Sequence, residues 1–228
     1  MERSQGNRLG LWVSRTFWST YHDSRAVQEA RNGLLANLGP GSKGLNVGAG
    51  ERRVHSALIA VDLARSPAID CVADARRLPF RNLAFELILS QETLEHVADP
   101  FQAVREMGRV LKRNGSLYLQ TPFVLGYHPN PEDYWRFSHA GVRSLIEQAG
   151  LHCERVEPTF GPGTGLHRIL VEFTAGVAAR VVGRAYLPVK GIAAIVLYPL
   201  KWLDGWLTKG DQRDRIAGGY FGIGKKQV

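Results

Sequence analysis

Two glycines one residue apart, followed by two aspartates at the ends of apolar runs, constrain this chain more than any other feature. The three signals fall within residues 45–75: Leu45-Asn46-Val47-Gly48-Ala49-Gly50, Ala60-Val61-Asp62-Leu63 and Cys71-Val72-Ala73-Asp74-Ala75. Each reads as the end of a strand running into a loop. In a parallel α/β sheet, such strand ends line one crevice. A Gly-x-Gly turn there lets a ligand press against bare backbone. A carboxylate on the next strand accepts hydrogen bonds from a ribose diol, and a second accepts from an adenine amino group. The expected pocket takes an adenosine-containing ligand and is built from Asn46, Gly48, Ala49, Gly50, Asp62, Leu63, Asp74 and Ala75. Ser90 and Gln91, at the end of a later strand, complete it.

The glycine pattern narrows the ligand. A dinucleotide fingerprint has a third glycine that allows close helix–strand packing. Here Glu51, Arg52, Arg53 and Val54 follow Gly50, and no third glycine appears. That disfavours a nicotinamide oxidoreductase. A phosphate-cradling Gly-Lys-Ser/Thr loop is absent as well. S-adenosylmethionine has no pyrophosphate and carries an ammonium and a carboxylate, which suits a glycine turn with an acid nearby.

Further along, Asp74-Ala75-Arg76-Arg77-Leu78-Pro79-Phe80 leads into Phe85-Glu86-Leu87-Ile88-Leu89-Ser90. Then come Leu94-Glu95-His96-Val97-Ala98-Asp99-Pro100 and Arg109-Val110-Leu111-Lys112-Arg113-Asn114-Gly115-Ser116-Leu117. This ordered set resembles the class I S-adenosylmethionine-dependent methyltransferases, in particular the type 11 group, over roughly Gly44 to Glu157. The resemblance implies a doubly wound, mostly parallel seven-stranded α/β sheet of Rossmann-like kind, S-adenosyl-L-methionine as cofactor, and methyl transfer as the activity. Two positions depart from the family pattern: Asn46 stands where an acid is usual, and Arg52 where a further glycine is usual. Only Glu51 to Ala57 separate the glycine turn from the next strand, and a crossover helix needs about a dozen residues or more. The first crossover helix is therefore expected to be short or missing.

Composition limits the alternatives. The 228 residues suffice for one α/β domain with additions, and a hydrophobic share of 44% is ordinary for a globular protein. Cys71 and Cys153 fall in separate expected strands and read as reduced thiols of a cytosolic protein. No cysteine–histidine cluster has metal-ligand spacing, so no metal is expected. The apolar run around Leu9 to Val13 is too short for a signal peptide. The net charge of +8 suits an anionic partner or plain solubility. No RNA-binding signature or dense arginine patch accompanies it, and nucleic acid is not expected as a partner.

Four segments follow. Residues 1–43 form an aromatic and helical cap, with Trp12, Phe17, Trp18 and Tyr21 ahead of an N-cap at Asp23 and a helix that stops at Gly39-Pro40-Gly41. Residues 44–157 form the cofactor-binding core. Its strands are expected at Gly44–Val47, Leu58–Val61, Asp70–Ala73, Phe85–Ser90, Ser116–Thr121 and His152–Glu157. One helix starts at Asp99-Pro100 and ends at Asn114-Gly115, and another runs from Ser138 to a Gly150 cap. Residues 158–216 are an apolar helical insertion. Its ten-residue run Gly191–Leu200 falls well short of the roughly twenty needed to span a bilayer. It is read as a lid or dimer contact, or as an amphipathic pair on an anionic membrane. Residues 217–228 supply the last strand. The expected location is cytoplasmic, with peripheral contact at the inner membrane face as the second possibility.

Methyl transfer from a sulfonium is an in-line displacement, and holding the nucleophile in place accounts for much of its rate. A base is needed when the acceptor is a hydroxyl. The candidates are His128, which Asp133 could orient or replace as base, both after the fifth strand, and His96, which follows the fourth. Tyr134, Trp135 and Arg136 are expected to grip the acceptor by stacking and charge. Asn130-Pro131 lies after the fifth strand, whereas the amino-methylating Asn-Pro-Pro-Tyr motif of nucleic-acid enzymes belongs after the fourth. Methylation of a small or lipid-linked acceptor, on oxygen, is the expected function. The alternative is a non-catalytic binding or membrane-associated module on the same fold.

Overall fold

The computed structural model describes residues 24–39, 41–51, 53–210 and 212–227. Asp23, Arg52 and the aromatic residues of the first 21 positions lie outside them. The elements in chain order are α1 (Arg25–Ala36), β1 (Gly44–Val47), β2 (Leu58–Asp62), β3 (Cys71–Val72), β4 (Phe85–Gln91), α2 (Pro100–Val110), β5 (Leu111–Pro122), α3 (His139–Gln148) and β6 (His152–Phe160). There follow α4 (Pro162–Val181), α5 (Tyr186–Val196), a 3-10 helix over Tyr198–Leu203, α6 (Asp204–Leu207) and β7 (Gly219–Lys225). All seven strands join one sheet in the order β3-β2-β1-β4-β5-β7-β6. The pairs from β3 to β5 are parallel, and β7 lies antiparallel between β5 and β6. The doubly wound, mostly parallel architecture expected from the sequence is the one observed.

The central strands are apolar on both faces because helices cover both. On one face α2 and α3 bury Val104, Met107, Val142 and Ile146 against Leu45, Ile88, Leu117 and Leu119. On the other, α1 buries Val27 and Ala30 against Leu58, Leu87, Leu89, Tyr118 and Phe221. That arrangement answers the short link between β1 and β2: no described residue between Gly50 and Leu58 is helical, and α1 covers the face instead.

Three boundaries differ from the sequence reading. The cap of α1 is Ser24, whose hydroxyl accepts from the Val27 N–H at 3.3 Å. Helix α2 ends at Val110, ahead of Asn114-Gly115, because Leu111 turns extended and pairs with Phe85 of β4. The Lys226 ammonium donates to the carbonyls of Gly108 at 2.6 Å and Leu111 at 3.0 Å, which satisfies the helix end. Strand β6 continues past Glu157 to Phe160, held by the antiparallel register Pro158↔Tyr220 and Phe160↔Gly219.

Between β6 and β7 the chain runs through α4, α5, the 3-10 helix and α6. Glycine caps α4 without a side chain, so Asp204 supplies the missing acceptors from a distance. It takes the N–H groups of Gly163 at 2.6 Å and Thr164 at 3.1 Å, and the Thr164 hydroxyl at 2.6 Å. His167 on α4 donates from Nε2 to the Ala194 carbonyl of α5 at 3.0 Å, locking the helix pair. Strands β5 and β6 end, and β7 begins, at the same edge of the sheet, so the insertion springs from the edge where the parallel strands end.

Candidate active site

Register brings the sequence signals together. Val47 lies level with Val61 and with Ser90, so the ends of β1, β2 and β4 meet at one edge. Strand order reverses direction between β1 and β4, the place where α/β sheets open a ligand crevice. Gly48 turns with φ 72°, and a Cβ there would fall 2.1 Å from the Thr93 hydroxyl oxygen. Gly50 also has a positive φ, 62°, but faces open space. The first glycine is thus required by packing, and the second leaves backbone bare to a ligand.

Asp62 braces this turn. One carboxylate oxygen accepts from the Gly50 N–H and the other from the Ala64 N–H, each at 2.9 Å. Each oxygen keeps a further lone pair, as a ribose diol requires. Leu63 next to it is 67% exposed, in position to cover a ligand. Asp74 holds its carboxylate on Arg76, with Nη2 2.6 Å from Oδ2, and the Arg76 N–H donates to Oδ1 at 2.8 Å. The Arg76 guanidinium keeps this carboxyl below the usual carboxylate range. Asn46, Ser90 and Gln91 are buried at the strand ends, and Gln91 donates to Gln120 at 3.1 Å. These residues fit a nucleoside with a diol: the turn is open, the acid ends the right strand, and spare acceptors face the edge.

The loops after β4 and β5 meet next to this edge. A 3-10 turn, Leu94–His96, directly follows β4. His96 Nδ1 lies 2.6 Å from the Glu132 carbonyl. His128, from the loop after β5, faces it edge-on with ring centroids 5.2 Å apart. The structure therefore joins the two histidines that the sequence offered as competitors. Between them stands Glu95, its side chain 0% exposed, with Oε1 3.7 Å from His96 Nε2 and 3.9 Å from His128 Nε2. Glu95 pulls the His128 imidazole above its usual pKa, against the effect of burial. Glu92, at φ 50°, accepts from Gln120 at 3.1 Å, and burial together with Glu95 lifts its carboxyl well above the ordinary range.

Of the two roles open to Asp133, orienting His128 or replacing it, the contacts favour the first. Both oxygens are gripped by Arg136, at 2.5 and 2.6 Å, and Oδ2 also accepts the His128 N–H at 2.8 Å. Arg136 holds its pKa down to about 2, too low for a useful base near neutrality. Asp133 is a brace for His128, and Arg136 is committed to the loop itself through Asp133 and the carbonyls of Leu125 and Gly126. Trp135 is anchored too: Nε1 donates to the Val97 carbonyl at 3.0 Å and the ring stacks on Phe137. Tyr134 presents an exposed ring. Glu92 and Glu95 escaped the sequence reading because acids beside a short helix look like solvated surface; the neighbouring Thr93, packed on Gly48, was the signal that this turn faces inward. A separate cleft of about 490 Å³ opens between the start of α1, Phe160 and α6, and none of the glycine-turn or carboxylate residues above line it.

Residues 37–119 match a family model described as a methyltransferase domain. Over that stretch, a little more than a third of the chain, the sequence is similar to methyltransferase domains. Among curated proteins none matches the sequence. Solved structures share the fold at low identity. A Haloferax volcanii protein described as a methyltransferase, in complex with the Trm112 methyltransferase activator, superposes with a TM-score of 0.51 at 18% identity, covering 97% of both chains. Phosphoethanolamine N-methyltransferase 2 of Haemonchus contortus, bound to phosphomonomethylethanolamine and S-adenosylhomocysteine, gives 0.55 at 14% identity, over all of this chain and 60% of that one. A Bacillus halodurans protein described as a methyltransferase gives 0.50 at 17%, over 87% of this chain and 98% of that one.

Proposed function

We propose that this chain is an S-adenosylmethionine-dependent methyltransferase that methylates an oxygen atom of a small or lipid-linked acceptor. The carrying observation is the meeting of His96, His128 and the buried Glu95 beside the glycine turn. A hydroxyl arrives protonated and needs a base at that place, whereas an amine arriving neutral does not. When bound, S-adenosyl-L-methionine supplies an electrophilic methyl group. Asn46, Gly48, Ala49, Gly50, Asp62, Leu63, Asp74, Ala75, Ser90 and Gln91 are the residues proposed to hold it, in a core formed by residues 44–157 and 217–228. His128 orients the acceptor hydroxyl and takes up its proton, His96 supports the same hydroxyl, and Asp133 fixes the His128 loop. Tyr134 and Trp135 line the acceptor's approach, with Arg136 shaping the loop.

The lipid-linked half of the proposal rests on the insertion, residues 158–216. Phe173 (65%), Trp202 (72%) and Trp206 (75%) are exposed there, among the cations Arg180, Lys201 and Lys209. Exposed indoles flanked by cations suit the surface of an anionic bilayer. No helix among the described residues is long and apolar enough to cross a membrane. The proposed location is the cytoplasm with contact at the inner membrane face; a homodimer through the same surface is the other outcome. In this scheme residues 1–43 are an N-terminal cap, of which α1 packs on the sheet face.

The test is transfer from methyl-labelled S-adenosylmethionine to hydroxyl- and amine-bearing acceptors, free and in anionic vesicles. Labelling of hydroxyl acceptors that falls in His128→Ala, with S-adenosylhomocysteine affinity kept, supports the reading. Labelling of amines alone overturns it. Calorimetric titration with S-adenosylhomocysteine and NAD separates the rivals: binding without transfer to any acceptor would favour a non-catalytic module.

A further inference from the structure

With both imidazoles neutral, the cluster at Glu95 holds three acceptors and no donor. His96 Nδ1 lies 2.6 Å from the Glu132 carbonyl and His128 Nδ1 lies 2.9 Å from the Gly126 carbonyl. A nitrogen that close to a carbonyl oxygen carries the proton, so in each neutral ring Nε2 is left as a bare lone pair. Arg136 also approaches His128 Nδ1, at 3.3 Å, but the shorter contact and the guanidinium's own bonds to Asp133 and Gly126 assign the proton to the ring nitrogen. Both Nε2 atoms point at Glu95, whose two carboxylate oxygens are buried and make no hydrogen bond. An uncompensated buried carboxylate facing two lone pairs is costly unless a cation sits among them.

We propose that Glu95, His96 and His128 form a binding site for a divalent transition-metal ion. The three ligand atoms lie within 4.8 Å of one another. Ligands about 2.1 Å from a tetrahedral ion stand about 3.4 Å apart, so the 3.7 and 3.9 Å separations to Glu95 close with small side-chain rotations. The backbone carbonyls on each Nδ1 are the outer partners that metal-bound histidines use to fix tautomer and ring orientation. Two imidazoles and one carboxylate select zinc, cobalt, iron or manganese over calcium and magnesium, which prefer oxygen alone. Three protein ligands leave coordination positions open, and the His128 side chain is 36% exposed, so the open side is reachable from solvent. An ion there would hold an acceptor oxygen and make its hydroxyl more acidic. That role rests on the oxygen-acceptor reading above, with the ion in place of a free His128 Nε2 as the group that draws the proton from the hydroxyl; the binding site itself does not.

The decisive measurement uses the full chain, stripped by chelator and titrated with Co²⁺, with d–d absorption as the readout. One ion per chain, with bands of nitrogen-ligated cobalt and displacement by Zn²⁺ but not by Mg²⁺, is the expected result. His96→Ala and His128→Ala should each weaken Co²⁺ binding by at least about a hundredfold, since even a partner of a ligand costs ten- to a hundredfold. His152→Ala, on an exposed position of β6, should leave it unchanged. S-adenosylhomocysteine titration of the same samples checks the fold of each variant and reports the cofactor crevice separately. Absence of stoichiometric Co²⁺ binding, or binding that survives both histidine variants, overturns the proposal. In that case Glu95 is satisfied by a proton shared with the imidazoles.

Discussion

Replacing Asp62 by alanine is the sharpest probe of the cofactor crevice. Its carboxylate already accepts the N–H groups of Gly50 and Ala64, each at 2.9 Å, so it is fixed in place before any ligand arrives. Each oxygen has one lone pair left, and a ribose diol offers two donors. A charge-assisted pair of this kind contributes about 1.5–3 kcal/mol, or roughly ten- to 150-fold in the dissociation constant. Asp62→Asn retains one acceptor oxygen and should lose less than Asp62→Ala. Calorimetry with S-adenosylhomocysteine reads both, and thermal unfolding without ligand reads the brace alone. The two losses need not track each other, because the turn's hydrogen bonds exist in the free protein and the diol's do not. A dissociation constant unchanged in Asp62→Ala would refute the assignment. A fall in stability with no change in affinity would leave Asp62 as a loop brace only.

Two further outcomes follow from the same geometry. Asp74→Asn keeps the side chain's shape but gives up the charge that Arg76 now holds at 2.6 Å; S-adenosylhomocysteine should bind more weakly while the unfolding transition stays cooperative, and loss of folding would instead make Asp74 a structural cap. Asp204→Ala removes the acceptors for Gly163, Thr164 and the Thr164 hydroxyl at the start of α4; amide exchange across residues 162–181 should speed up, with about 1–2 kcal/mol of local stability lost, while exchange in β1 and β4 stays as it was.

Much of the fold was legible because it rests on local chemistry. Alternating apolar runs, Asp99-Pro100 at a helix start and Gly150 at a helix end are signals that a few neighbouring residues complete among themselves. The shared edge was legible for a related reason: Gly48 follows β1, Asp62 and Ser90 lie at the ends of its two sheet neighbours β2 and β4, and parallel strands that end level must bring their loops together. Even the missing crossover helix could be counted from the length of the link. The boundaries that moved were set from far away. Helix α2 stops early because β4 recruits Leu111, and β6 runs on because β7 lies beside it.

The acceptor side depended on tertiary structure throughout. His96 and His128 are 32 positions apart, and nothing in either segment says that their rings meet over one carboxylate. The sequence leaves Asp133 either to orient His128 or to replace it as base, and only the closing of Arg136 on it favours the first. Glu95, to which the sequence gives no role, becomes a buried carboxyl because the loop after β5 folds down on the loop after β4, where the Tyr134 N–H donates to the Glu95 carbonyl at 2.7 Å. Residue type fixes what a side chain can donate, accept or ionise. Which partner it finds, and how much water remains around it, depends on segments distant in sequence, and those two quantities decide its chemistry.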